Sequence, residues 1–213
     1  DTTKQIMSFG IDEDGELYVV GGTVDRIVNT GAPSTPTTSF SINGGGGTAF
    51  DTSGTNDAVA VHHAQIHPND DDTKPAGIAF IALRNQGVLV NEAAVPATSL
   101  VADARFYAET GAGTDTGVAI ANPDMAQAAI ISFKLTDSSG DGFQEGVLRI
   151  PPGGQLAGFL DQDPFNGPVP FNGSVTLSSS SPVSVVVLRG IINERSEFLT
   201  TTLPVVHLDE SGS

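Results

Sequence analysis

The chain has 213 residues with no Cys or Trp, 25 Gly and 13 Pro, and 25 acidic against 9 basic side chains, for a formal net charge of −16. Such a surface repels phosphate backbones and anionic lipids, which argues against nucleic acid and membrane partners, and no apolar run approaches the ~20 residues that span a bilayer. Without Cys there are no disulfides, so stability must come from sheet packing, and the wealth of Val, Ile, Thr, Ser and Gly favours strands joined by many turns.

In chain order, "SFGIDEDGELYVVGGTVDRIV" (8–28) reads as a β-hairpin whose two apolar runs flank a Gly21-Gly22 turn. Residues 1–30 are therefore expected to form an N-terminal β-hairpin, which is marginal in isolation and must find partners. Residues 31–58 read as a Gly/Pro/Ser/Thr-rich linker with room for one short strand, anchored by Phe40, Ile42 and Phe50. Strands are expected at "AVAVHHAQI", "GIAFIALR" and "GVLVNEAAV", giving a first β-sandwich lobe over 59–103. A second lobe over 104–208 holds the strands "RFYAET", "GVAIANP", "AIISFKLTD", "GVLRIP", "GSVTLSS", "SVVVLRG" and "EFLTTTLPVV", before an acidic tail at 209–213. Leu156, Phe159 and Leu160 recur at helical spacing ahead of Pro164, which predicts one or two helical turns over 154–163. The fold class that follows is all-β, with two β-sandwich (Ig-like) lobes, an N-terminal β-hairpin and minimal helix.

An internal repeat links the halves. "PAGIAFIALRNQGVLVNEAAVP" (75–96) aligns with "PVSVVVLRGIINERSEFLTTTLP" (182–204), placing Leu83-Arg84 on Leu188-Arg189 and Glu92 on Glu197. Each copy reads as a hairpin whose Arg and Glu could pair across the turn. The second copy is preceded by about five strands (105–180) and the first by far fewer, which predicts a sheet edge in need of cover. Two arrangements then stand side by side. The segment 1–30 either folds back on its own lobe or pairs with a neighbouring subunit, with Leu17, Val19, Val24 and Ile27 as the assembly residues.

No catalytic residues are assigned, because the chain has no Cys, G-x-S-x-G elbow, P-loop or H-E-x-x-H. His62, His63 and His67 stand near Asp70–Asp72, but neighbours on a strand point to opposite faces and His63 and His67 would lie about 13 Å apart. "DSSGDGFQE" (137–145) has the opening spacing of a calcium loop, yet Leu148 stands where its bidentate Glu would be, so a hairpin turn is the better reading. Asp137, Asp141, Asp70 and Asp72 are thus the calcium candidates, and no metal or cofactor is assigned. Asn172-Gly-Ser174 is a formal glycosylation sequon at a turn.

The opening "SFGIDEDGELYVVGGTVDRIV" resembles the last-blade strands of soluble pyrroloquinoline-quinone-dependent (glucose/sorbosone) sugar dehydrogenases, over about a tenth of the chain. The segments "NTGAPS", "GVAIANP", "IPPGGQLAGFL" and "VVVLRGIINERSEFLTTTLPVV" resemble a tandem β-sandwich module that follows catalytic or repeat domains in secreted and surface proteins of bacteria. A propeller needs typically 4–8 four-stranded blades, so the first resemblance implies descent from a longer precursor and carries no enzymatic assignment. The start at Asp1 fits a processed product or an excised domain. The expectation is a non-catalytic extracellular or cell-surface structural module, a homo-oligomer or filament subunit formed by strand exchange. The alternatives are an accessory domain of a quinone-dependent sugar dehydrogenase and a carbohydrate-binding sandwich with a surface glycan as ligand. Only Tyr18 and Tyr107, with no Trp, are available to stack on a sugar in the last of these.

Overall fold

The computed structural model describes residues 5–11, 16–20, 24–29, 37–51, 60–69, 72–85 and 88–208. Its regular structure among these residues is all strand, and the chain divides into two compact units, Asp1–Leu100 and Val101–Ser213.

Unit 1 contains β1 (Gln5–Ile11), β2 (Glu16–Val20), β3 (Val24–Asn29), β4 (Thr37–Phe40), β5 (Gly47–Asp51), β6 (Ala60–Pro68), β7 (Ala76–Asn85) and β8 (Val88–Pro96). These make two antiparallel four-stranded sheets, ordered β1-β6-β3-β4 and β5-β2-β7-β8. Its described buried hydrophobic side chains are small or β-branched, including Ile42, Ala64, Ile66, Ala79, Ala82, Ala93 and Val95, with His63 and Gln65 buried beside them. The rings of Phe40 and Phe50 meet at 4.9 Å.

Unit 2 contains β9 (Val101–Thr110), β10 (Thr114–Ala121), β11 (Ala129–Asp137), β12 (Gly142–Ile150), β13 (Gln155–Phe159), β14 (Phe171–Ile192), β15 (Phe198–Leu203) and β16 (Val206–His207). The 22-residue β14 serves two sheets. Its first half lies between β11 and β9, in the order β12-β11-β14-β9-β16. Its second half lies between β10 and β15, in the order β13-β10-β14-β15. A strand that bends from one sheet into the other makes the corner of a sandwich. The bend falls where the pairing with β9 breaks, between Ser178 and Val183. There Pro182 has no N–H to give, and the Ser180 hydroxyl accepts the Ile130 N–H at 3.0 Å.

The core follows from alternation. Ala104, Phe106 and Ala108 of β9 face inward, as do Val118 and Ile120 of β10, Ile131, Phe133 and Leu135 of β11, and Val175, Leu177, Val185 and Val187 of β14. Leu160 and Phe165 plug one end, with Phe165 meeting the edge of Phe133 at 5.6 Å. The β9–β10 connection is a two-residue turn, closed by Gly111 and Thr114 and carried by Ala112 (φ 54) and Gly113 (φ 79). Positive φ at both central residues is what a type I′ turn requires.

The two units share one topology. Substituting β9 to β13, the two halves of β14, and β15 for β1 to β8 in turn converts each strand order of unit 1 into that of unit 2; β16 is the addition. The sequence repeat lands on the equivalent hairpins, β7–β8 and the second half of β14 with β15. The all-β sandwich expected from the sequence is therefore present in both units. Its architecture is a sandwich of two antiparallel sheets with a strand order of its own, which is not the four-plus-three order of immunoglobulin domains.

Several local expectations are corrected. Strands β2 and β3, read as the two arms of one hairpin, lie in different sheets and do not pair with each other. The stretch 31–58 carries two strands, β4 and β5, because Phe40, Ile42 and Phe50 recruit it into the sandwich. The helical turns expected over 154–163 are absent. Residues Gln155–Phe159 form β13 on the edge of β10, and the chain then turns at Leu160. Leu156 packs on the core and Phe159 lies near Phe198 at 6.0 Å, so the helical spacing came from a strand followed by a turn. Arg189 reaches Glu109, not Glu197 across its own turn.

Candidate functional site

The residues singled out in the sequence are dispersed. Leu17 and Val19 lie in β2, between Phe50 and Thr48 of β5 and Ala79 and Gly77 of β7. Val24 and Ile27 lie in β3, beside Phe40 and Thr38 of β4 and Pro68 and Ile66 of β6. Both strands are thus flanked on each side within the chain, and the sheet edge thought to need cover is filled by unit 1 itself. Asp137 is a turn residue. Its Oδ1 accepts the N–H groups of Ser139 (2.8 Å) and Asp141 (3.0 Å), which fixes the β11–β12 hairpin. Asp141 is exposed on that turn, Asp72 accepts from Asn69 Nδ2 at 3.0 Å, and Asp70 lies outside the described residues. His63 is buried, and His67 meets the Gln65 side chain at 3.0 Å, four residues further along β6. Among the described residues no three His, Asp or Glu side chains converge as a metal site.

The structure gathers a different set of titratable groups where β9 turns into β10. Glu109 accepts from the Arg189 guanidinium and from the Tyr107 hydroxyl (2.9 Å), and Tyr107 in turn accepts from Asn172 Nδ2 at 2.7 Å. The Glu109 backbone exchanges two bonds of 2.9 Å with the Thr116 hydroxyl, tying β9 to β10. Partial desolvation, and then the hydrogen bond to Glu109 and its charge, raise the Tyr107 phenol above its ordinary value. Every member is occupied by another, so the network holds the sandwich end together and leaves no activated nucleophile. Its Arg189–Glu109 bond alone joins residues 80 positions apart in the chain, which is why local motifs did not reveal it.

One residue before Thr116, Asp115 shares a hydrogen bond with Asp161. Partial burial, the Asp161 hydrogen bond and the Asp161 charge push Asp115 up to about 6, against the opposing pull of the Thr116 N–H at 2.7 Å. A carboxylate whose pKa is raised on folding stabilises the fold below its unfolded value near 4. That contribution is lost as pH rises through about 6. Asp115→Asn is therefore expected to raise stability at pH 7 by on the order of 1 kcal/mol, discounted for solvent screening, and by little at pH 4. Melting temperatures of both proteins across pH 4–7 check this; a gain that is constant with pH would contradict it.

What this end of unit 2 can do chemically is hold a proton between two carboxylates and lock an ion pair. No protein-family model matches the chain, and no curated protein matches it either.

Proposed function

We propose that the chain is a non-catalytic structural module of the cell exterior, built to assemble or display rather than to transform a substrate. The observation that carries this reading is the duplication: two consecutive units repeat one eight-strand sandwich order. Repeating a rigid unit multiplies surface without adding chemistry, as in other tandem architectures. The acidic composition and the resemblance of several segments to a tandem sandwich module of bacterial surface proteins support the same reading.

The test is made in the cells that produce the protein. Protease treatment of intact cells should release peptides of this chain, and deleting its coding region should change a surface structure seen by electron microscopy. Unchanged surface structure with lost sugar oxidation would overturn the reading in favour of an accessory domain of a dehydrogenase. Saturable binding of a soluble oligosaccharide by the purified chain would overturn it in favour of glycan recognition.

A further inference from the structure

We propose that the free edge of β12 pairs antiparallel with β12 of a second copy of this chain, centred on Val147. The inference rests on the structural reading above and names the partner.

Among the described residues β12 has one sheet neighbour, β11, so its other edge presents unpaired backbone donors and acceptors. At nine residues it is the longest edge strand of unit 2; β13 has five, β15 six and β16 two. Its pairing with β11 runs without a shift from Ile150 to Gln144, which leaves a regular seven-residue stretch whose midpoint is Val147. Val147 is the most exposed large apolar residue described, at 69 %, and Ile130 on the neighbouring strand is 42 % exposed.

Edge strands are commonly protected by charge. Here the charges favour self-pairing. Glu145 and Arg149 lie two residues either side of Val147 and alternate onto the same outer face. An antiparallel pair with a two-fold axis at Val147 sets Val147 against itself. It also sets each Glu145 opposite Arg149 of the partner subunit, twice over. Glu145 is half of a surface pair with Lys134 at 3.3 Å, whereas Arg149 stands across from Ile130. Among the described residues no carboxylate pairs with Arg149. On the inner face the same register sets Gly146 against Leu148 and Gln144 against Ile150, continuing the interior layer. The contact is isologous and closes as a dimer with one continuous sheet.

Sedimentation velocity on the full chain tests it. The wild type should sediment as a concentration-dependent dimer. Glu145→Arg and Arg149→Glu each turn both cross-strand pairs into like-charge pairs and should weaken association by on the order of tenfold or more. Val147→Lys, which opposes two ammonium groups at the axis, should do the same. Mixing the Glu145→Arg and Arg149→Glu proteins at equal concentration restores complementarity and should restore the dimer. Recovery on mixing excludes misfolding as the cause, and each variant should keep the wild-type circular dichroism. A wild type that stays monomeric at millimolar concentration, single variants that dimerise as well as the wild type, or a mixture that stays monomeric overturns the pairing. None of these outcomes touches the protease and deletion test of the structural reading.

Discussion

Gly173→Ala is expected to cost about 3 kcal/mol of stability or more, read as a lowered denaturant midpoint at unchanged slope. Gly173 sits in the first half of β14, with Asp137 of β11 on one side and Ala108 of β9 on the other. A Cβ at this position would collide with the Thr136 carbonyl oxygen, 2.9 Å from the Asp137 Cα and 3.0 Å from the Phe171 ring. Two of these atoms are backbone, so relief requires β11 to move away from the strand that anchors both sheets. Gly158→Ala is the control. Its Cβ would meet only the Asp163 carbonyl at 3.6 Å, an ordinary contact, and the change should stay within about 0.5 kcal/mol.

Asn122→Ala is expected to cost roughly 2–4 kcal/mol. The side chain is fully buried just past β10, where its Nδ2 donates to the carbonyls of Gln127 (2.8 Å) and Pro151 (3.1 Å). Its Oδ1 accepts the Asp124 N–H at 3.1 Å. One amide therefore ties the exit of β10, the loop into β11 and the exit of β12. Removal takes this donor from the part-buried Gln127 and Pro151 carbonyls and from the buried Ile150 carbonyl at 3.4 Å, and takes the Oδ1 acceptor from the Asp124 N–H. Asn122→Asp should be worse than Asn122→Ala at neutral pH, because it aims a buried carboxylate at those carbonyl oxygens. Equal midpoints for the two variants would contradict this account of the site.

Much of this fold was legible because alternation and turn chemistry are local. The bounds of strand β11, Ala129–Asp137, are legible in the sequence, since Ile131–Thr136 alternates apolar and polar and an Asp-Ser-Ser-Gly turn follows. What failed was topology. Gly21-Gly22 suits a tight hairpin turn, but Gly serves equally where the chain crosses between sheets, and no local pattern separates the two cases. Ser180–Val183 reads as a break between the strands "GSVTLSS" and "SVVVLRG", whereas it belongs to one continuous strand that bends from one sheet into the other. Phe40, Ile42 and Phe50 mark a single short strand in the sequence, and their Gly- and Thr-rich surroundings conceal that there are two. The Glu109–Arg189 network and the Asp115–Asp161 pair were illegible, because only the closed sandwich brings those residues together.

The central claim is that one sandwich topology occurs twice, with the opening strands divided between two sheets of unit 1. Inter-strand nuclear Overhauser contacts on the labelled chain test it directly. The account predicts backbone contacts of Ser8 with His63, of Tyr18 with both Ala49 and Ile78, and of Val28 with Gln65. Contacts between Val19 and Val24 across Gly21-Gly22, with those to β6 and β7 missing, would restore the isolated hairpin and contradict the duplication.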